Sequence, residues 1–431
     1  MKFYSTNHQV EPVSFEDAIF EGLPSDNGLF MPEKIPSLPA SFFESLSSLS
    51  LPEIGFEVLK HYVDGEIPND DLKIIVADTL SFDIPLAKIK KGVYALELFH
   101  GPTLAFKDVG ARFLARCLSY FTKQNNKEFT VLVATSGDTG SAVANGFFNV
   151  PGVEVVILYP KGKVSGFQEQ QMTTLGGNIT ALEVDGTFDD CQDLVKQAFL
   201  DEELRRNLNL TSANSINIAR LLPQSIYYFY GWSRLTKEEQ KDVIFSIPSG
   251  NYGNLSAGLI AQKMGLAVKQ FLACSNVNDT VPMYLWNAKF EPKPSVATIS
   301  NAMDVGNPSN FVRMLDLFDG SHLKMIQMIT GYAYTDVSTR DTIQKTFGLN
   351  GYTLDPHGAV GYLGLMDFYR SNSGTGIVLE TAHPIKFKNT VEEQILMEVS
   401  PPEHVRLTNF EKKSIPFSTD FSDFKNFLQT H

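Results

Sequence analysis

An α/β fold with two parallel-sheet domains is the architecture this sequence predicts, and three observations predict it. The strand-like runs FTVLVA, VEVVILYP and DVIFSIP are mostly apolar and do not alternate, as befits strands buried on both faces of a parallel sheet. The first and last of these runs lead into a small polar loop and then into a helical pattern, which is the order that builds crossover units. That arrangement is present twice, in FTVLVATSGDTGSAVANGFF and in DVIFSIPSGNYGNLSAGLIAQKMG, so two such units are expected.

Residues 1–90 read differently from the rest. EGLPSDNGLFMPEKIPSLPA is rich in Pro, Ser and Gly, as expected of an extended segment lying over a core. FHGPTLAFKDVGARFLARCLSYF follows. Its second half repeats apolar residues every three or four positions, at Phe113, Leu114, Cys117, Leu118 and Phe121, which predicts one buried helical face. Asp108 suits the first turn, where a carboxylate meets the positive end of the helix dipole, and Lys107 at that same end is electrostatically misplaced. Behind Leu104, Ala105 and Phe106 its amine should be desolvated and its pKa lowered, which is the condition of a nucleophilic or Schiff-base lysine. A surface lysine is the plainer alternative. Val131 to Ala134 then forms a strand, with VEVVILYP and NITALEV as further strands. The aromatic run of Tyr227, Tyr228, Phe229, Tyr230 and Trp232 after Pro223 has no interleaved basic residues and reads as a packed helix, not as a base-stacking platform. In the second unit Gly265 is a helix stop, VKQFLACS the next strand, and IVLE a later strand that ends at Thr381.

The length of 431 residues allows about two or three domains with ample core. The formal charge of -13 disfavours nucleic acid and anionic membrane as general partners, so an anionic substrate needs a local site. Cys117, Cys191 and Cys274 are far apart and show no metal-ligand spacing, which indicates neither a disulfide framework nor a metal site and fits a reducing, cytoplasmic setting. MKFYSTNHQV lacks the apolar core of a signal peptide, and no run of about 18 apolar residues suggests a membrane span.

Both polar loops fall at the carboxyl ends of strands, where open parallel sheets bind ligands. In TSGDTGS the glycines let backbone amides approach a ligand, while hydroxyls and Asp138 supply directional hydrogen bonds. A tight turn with a helix cap uses the same residue types. In PSGNYGN, Gly250 and Gly253 permit positive φ, so successive amides can form a nest for a phosphate. Neither loop has the P-loop or GxGxxG spacing, which argues against ATP or a dinucleotide. Lysine, anion loop and phosphate nest together are the parts that pyridoxal phosphate chemistry needs. Thr381, just after an apolar strand, offers a neutral hydroxyl for the pyridine nitrogen, or is only a strand-end threonine beside a His-Pro turn. His100 and His357 read as turn histidines satisfied by backbone, His383 is undecided, and Lys161 and Lys163 line a substrate entrance or are solvated.

FHGPTLAFKDVGARFL, ATSGDTGSA, YPKGKVSGFQEQQM, NSINIARLLPQ, PSGNYGN and TAHPIKF, in this order, resemble the threonine synthase family of fold-type II pyridoxal phosphate enzymes. The opening SFEDAIFEGLPSDNGLFMP resembles the amino-terminal segment of its longer, bacterial and fungal branch, so the likeness runs from about residue 3 to about residue 390. It implies a tryptophan synthase β-like architecture, with residues 1–90 an amino-terminal segment, 91–107 and 221–431 a large cofactor-binding domain, and 108–220 a small domain. It implies Lys107 as the Schiff-base lysine and acid/base. Gly250, Asn251, Tyr252, Gly253 and Asn254 are implied for the cofactor phosphate, Thr381 for the ring nitrogen, and Asp138 for the 3′-oxygen. Many fold-type II enzymes have asparagine in the place of Asp138, so if Asp138 faces that oxygen, one of the two must carry a proton or a cation must stand nearby. Ser136, Gly137, Thr139 and Gly140 are implied around the substrate, and Asn214, Ser215 and Arg220 on its phosphate, with a buried structural arginine the alternative for Arg220. The implied reaction turns O-phospho-L-homoserine and water into L-threonine and phosphate. Other fold-type II lyases, dehydratases or phospho-lyases, and a cofactor-binding protein without activity, are the alternatives. Monomer or homodimer is left open.

Overall fold

The computed structural model describes residues 1–125, 127–403, 405 and 411–430. Among these, strands form at β1 (Phe3–Ser5), β2 (Phe30–Pro32), β3 (Leu86–Lys90), β4 (Val93–Glu97), β5 (Phe129–Ala134), β6 (Val153–Pro160), β7 (Ile179–Val184), β8 (Leu210–Ser212), β9 (Val243–Pro248), β10 (Gln270–Ser275), β11 (Ile329–Ala333), β12 (Thr375–Glu380) and β13 (Ser414–Phe417). The chain divides into two compact units. One comprises Met1, 31–106 and 221–402, and the other 2–30, 107–220 and 403–431.

The first unit holds a sheet in the order β11-β10-β9-β12-β4-β3, parallel except for the β3–β4 hairpin. Its middle strands β9 and β12 are buried at every residue, as their largely apolar, non-alternating sequences predict. The helix Pro356–Phe368 packs on β9, β10 and β12 through a glycine-rich face. Gly364 admits the Cys274 thiol where a Cβ would come within 2.3 Å of Sγ. The aromatic run forms the predicted helix, Ser225–Ser233, packed against Gly253–Lys263 and Leu51–Leu59.

The second unit holds an all-parallel sheet in the order β13-β7-β6-β5-β8. The predicted helix runs Lys107–Asn125 and buries Phe113, Leu114, Cys117, Leu118 and Phe121. It packs on the helix Asp138–Phe147 where Gly146 meets Ala111, and a Cβ on Gly146 would stand 3.2 Å from the Ala111 backbone. This grouping differs from the expected domains in three places, the smallest being Lys107, which groups with this unit and not with the residues before it. Residues 2–30 join this unit because the helix Phe15–Glu21 packs beside β8, with Ile19 carbonyl accepting from Thr211 Oγ1 at 2.9 Å and Asn217 Nδ2 at 3.0 Å. Residues 411–430, expected with the large domain, also lie here, because β13 pairs with β7 and Phe424, Phe427 and Leu428 enter the core between β5, β6 and the helix Phe188–Leu200.

Candidate active site

In the first unit β9, β12 and β4 are parallel neighbours, so their carboxyl ends deliver three segments side by side: the loop 248–254, Thr381, and the stretch 98–106 that leads to Lys107. The last of these is held residue by residue. Thr103 carbonyl accepts from the buried Lys386 Nζ at 2.8 Å, Leu104 carbonyl accepts from His383 N at 3.1 Å, and Ala105 bridges Ala382. Phe106 N donates to Thr381 carbonyl at 2.9 Å, and Phe106 carbonyl accepts from Tyr227 Oη at 2.5 Å. Both backbone groups of the residue before Lys107 are thus pinned, and one of the pins is Thr381 itself. Leu104 takes the left-handed conformation, φ 58°, that this path requires.

The loop 248–254 is shaped to receive an anion. Tyr252 sits at φ 60° as the cap of the helix Gly253–Lys263, and the N–H groups of Gly250, Asn251, Tyr252, Gly253 and Asn254 meet no acceptor among the described residues. Such a row of amides at a helix amino terminus fits a phosphate dianion without a lysine. Side chains brace the turn. Ser249 Oγ donates to Asn254 Oδ1 at 2.5 Å, Asn254 Nδ2 donates to Pro248 carbonyl at 2.9 Å, Tyr252 Oη and Ser275 Oγ lie 2.5 Å apart, and Tyr228 Oη donates to Asn254 carbonyl at 2.6 Å. Asn251 Oδ1 is already taken by Ser309, through N and Oγ at 3.2 Å each. At Gly250 a Cβ would stand 2.8 Å from Ala302 carbonyl and from Met303 Cα, so this position holds only glycine. The Thr381 hydroxyl makes no hydrogen bond among the described residues, which leaves it available to a ring nitrogen.

In the second unit the carboxyl end of β5 leads into Thr135 and the TSGDTG turn. Thr135 Oγ1 accepts from Gly137 N at 2.9 Å and Gly140 N at 2.8 Å, so the alternative of a self-capped turn is realised in part. Gly137 has φ 137°, and a Cβ there would fall 2.5 Å from the Gln168 side chain. Asp138, 3 % exposed, opens the following helix, and its Oδ1 accepts from Gln168 Nε2 at 2.8 Å. Ser136 and Thr139 are half-buried, with hydroxyls that meet no partner among the described residues. On the neighbouring strand β8 the chain turns into Asn214, whose Nδ2 donates to Ala134 carbonyl at 3.0 Å and so ties the two strand ends together. Ser215 is half-buried beside it. Arg220, 3 % exposed, donates from its guanidinium to Ala213 carbonyl. Its Nε lies 3.0 Å from where a Cβ on Gly110 would be. Gly110 is one turn beyond Lys107 on the same helix, so the guanidinium lies against the first turn of the Lys107 helix.

Several supporting residues escaped the sequence reading. Gln168, Lys386 and Tyr227 each fix a backbone or side chain of the site. Only Gln168 left a local signal, the Ser165-x-x-Gln168 capping box. The histidines read as satisfied by backbone are held chiefly by carboxylates: His100 Nε2 lies 2.7 Å from Glu97 Oε2, and His357 Nδ1 2.6 Å from Asp355 Oδ1. His383 is held neutral, its pKa brought down to about 4 by burial and by His100 nearby. It lines a 380 Å³ cavity with Glu97, His100 and Tyr352. Lys161 and Lys163 are exposed.

Tyr227→Phe is expected to cost about 1–2 kcal/mol by removing the hydrogen bond from its hydroxyl to the Phe106 carbonyl. Because that residue precedes Lys107, turnover should fall roughly tenfold with little change in cofactor content. Parallel measurement of kcat and of bound cofactor absorbance checks this.

Models of known families match the whole length in three pieces: "Threonine synthase N terminus" at residues 2–80, "Pyridoxal-phosphate dependent enzyme" at 78–379, and "Threonine synthase, C-terminal" at 358–428. The chain is 46 % identical to threonine synthase of Haemophilus influenzae, with 99 % of each covered. It superposes on the crystal structure of threonine synthase from Escherichia coli with TM-score 0.94 at 42 % identity, with 100 % of each chain covered. On the pyridoxal-phosphate-bound threonine synthase from Brucella melitensis the TM-score is 0.92 at 32 % identity, covering 100 % of this chain and 99 % of the other.

Proposed function

This chain belongs to the threonine synthase family of pyridoxal-phosphate enzymes, and from that membership we propose that it converts O-phospho-L-homoserine and water into L-threonine and phosphate, with Lys107 as the residue that tethers the cofactor and moves the protons. The observation that carries the assignment of roles is the pinning of Phe106, by Thr381 on one side and Tyr227 on the other, immediately before Lys107.

The amides of Gly250, Asn251, Tyr252, Gly253 and Asn254 hold the cofactor phosphate, and the free hydroxyl of Thr381 takes the ring nitrogen without placing a charge there. When bound, the cofactor supplies an electron sink that makes the substrate's α and β hydrogens acidic. Asp138, with one oxygen already engaged by Gln168, shares a proton with the cofactor's 3′-oxygen. Ser136, Gly137, Thr139 and Gly140 receive the substrate carboxylate at the start of the helix Asp138–Phe147. Asn214, Ser215 and Arg220 hold the substrate phosphate, the guanidinium offering a planar fork that a local anion site in an acidic protein needs.

The reaction removes protons at Cα and Cβ, expels the γ-phosphate, delivers a proton to Cγ, adds water at Cβ and returns a proton to Cα. Lys107 is the amine for these transfers, placed at the first position of its helix. The test is incubation of the purified protein with O-phospho-L-homoserine and analysis of both products. Threonine and phosphate in equal amounts are expected. Phosphate with a 2-oxo acid and ammonia in place of threonine would identify a deaminating phospho-lyase and overturn the reading.

A further inference from the structure

Glu380 is the last residue of β12, directly before Thr381, and is fully buried. Its backbone carbonyl accepts from Leu98 N at 2.9 Å, at the start of the stretch that leads to Lys107. Its carboxyl group lies against the first turn of the helix Pro356–Phe368, where a Cβ on Gly358 would come within 1.7 Å of Oε1. Neither carboxyl oxygen has a well-formed hydrogen bond among the described residues, and Asp355 and Glu97 face it. Asp355, also fully buried, caps that helix, with Oδ1 accepting from His357 N at 2.9 Å and Oδ2 from Gly358 N at 3.2 Å.

His357 extends the chain of contacts. Its Nε2 accepts from Ala302 N at 3.2 Å, so that nitrogen carries no proton, and the proton sits on Nδ1, which donates to Asp355 Oδ1 at 2.6 Å. Ala302 and Met303 are in turn the backbone wall against which Gly250 is packed. A continuous path therefore runs from Thr381 through Glu380, Asp355, His357 and Ala302 to Gly250, and it lies wholly within the first unit.

We infer that Glu380, Asp355 and His357 form a buried positioning network that fixes Thr381 and the 248–254 loop relative to one another. The inference rests on the proposal that these two elements hold the cofactor. Burial, reinforced by the facing carboxylates of Asp355 and Glu97, drives the Glu380 pKa well above the usual carboxylate range. The helix amino terminus, which favours an anion, is the weaker influence against removal from water. The charged and titratable groups around Glu380 are Asp355 and His357 from the helix, Glu97 at the register partner position on β4, and Tyr352, whose Oη donates to Glu97 Oε1 at 2.9 Å. A neutral Glu380 keeps negative charge away from the residue next to the ring nitrogen, so the neutral Thr381 hydroxyl and a neutral neighbour act in the same sense.

The test is reconstitution of the apoprotein with pyridoxal phosphate and, separately, with pyridoxal, following the dissociation constant and the absorbance of the bound chromophore across pH. Glu380→Gln, a neutral isostere, should bind within about twofold of wild type, and Asp355→Asn should bind pyridoxal phosphate about tenfold or more weakly because buried partners are left unsatisfied. His357→Asn retains a donor toward Asp355 but removes the acceptor for Ala302 N. It should weaken pyridoxal phosphate about tenfold and pyridoxal, which has no phosphate to place, much less. Wild-type affinity should fall as pH rises through the ionisation of Glu380, and Glu380→Gln should abolish that fall. If Asp355→Asn loses its melting transition, His357→Asn carries the test alone. Equal losses in Glu380→Gln and Asp355→Asn, or a His357→Asn effect identical for both ligands, would overturn the network. Thr381→Val reports on the premise: an unchanged chromophore there rejects the cofactor placement itself, whereas a shifted chromophore beside unaffected network variants rejects only the network.

Discussion

Lys107→Ala should lower turnover of O-phospho-L-homoserine by about three to four orders of magnitude, since the group proposed for every proton transfer is gone. Cofactor binding should survive in weakened form, because five backbone amides between Gly250 and Asn254 are untouched by the change. The separation of the two effects is the informative part. Dialysis against phosphate buffer should strip the variant of cofactor while wild type keeps it, and the absorbance of the bound chromophore should shift. The fold should tolerate the substitution, because the half-buried lysine opens its helix and alanine is a better helix former there. Retention of wild-type turnover at full cofactor loading would remove Lys107 from the mechanism and, with it, the proposed reaction.

Arg220→Ala should leave cofactor content nearly intact and reduce kcat/KM for O-phospho-L-homoserine roughly a hundredfold or more, as a charge-assisted phosphate contact is lost. The arginine also serves the fold. Its guanidinium donates to Ala213 carbonyl and packs on Gly110, so some loss of stability accompanies the substitution. Activity toward an unphosphorylated amino acid such as serine separates the two roles, since a loss of packing lowers both activities and loss of a phosphate ligand lowers only one. Arg220→Lys should recover little, because a point charge on a flexible stem replaces a planar fork. An unchanged ratio of the two efficiencies would make Arg220 a purely structural residue.

What could be read from the sequence was what leaves a local mark. The strands around TSGDTG and PSGNYGN are mostly apolar runs, and their loops carry glycines where the backbone tolerates nothing else: Gly137 at φ 137° and Gly250 against Ala302. The periodic face of the Lys107 helix was equally legible. The supports of the site were not, because their partners are remote in sequence. Lys386 meets Thr103 across 283 positions and Tyr227 meets Phe106 across 121, and no local pattern encodes such pairs. The run Tyr227 to Trp232 was legible as a helix, while the hydroxyl that reaches Phe106 was not. β13 escaped for another reason. It has only Ser414–Phe417, contains Pro416, and lies at the sheet edge, where a proline within a strand is tolerated.

That late strand has a consequence for how the protein is made. While the ribosome is still translating, β5, β6, β7 and β8 are already outside, but β7 has an open edge, and the hollow that Phe424, Phe427 and Leu428 will fill is still exposed. The plug is synthesised long after the strands it covers, so this half of the molecule stays open until the segment that carries Phe424 to Leu428 has emerged. A nascent polypeptide stalled before residue 414 would present an unpaired strand and an apolar cleft to solvent, both of which chaperones recognise and aggregation exploits.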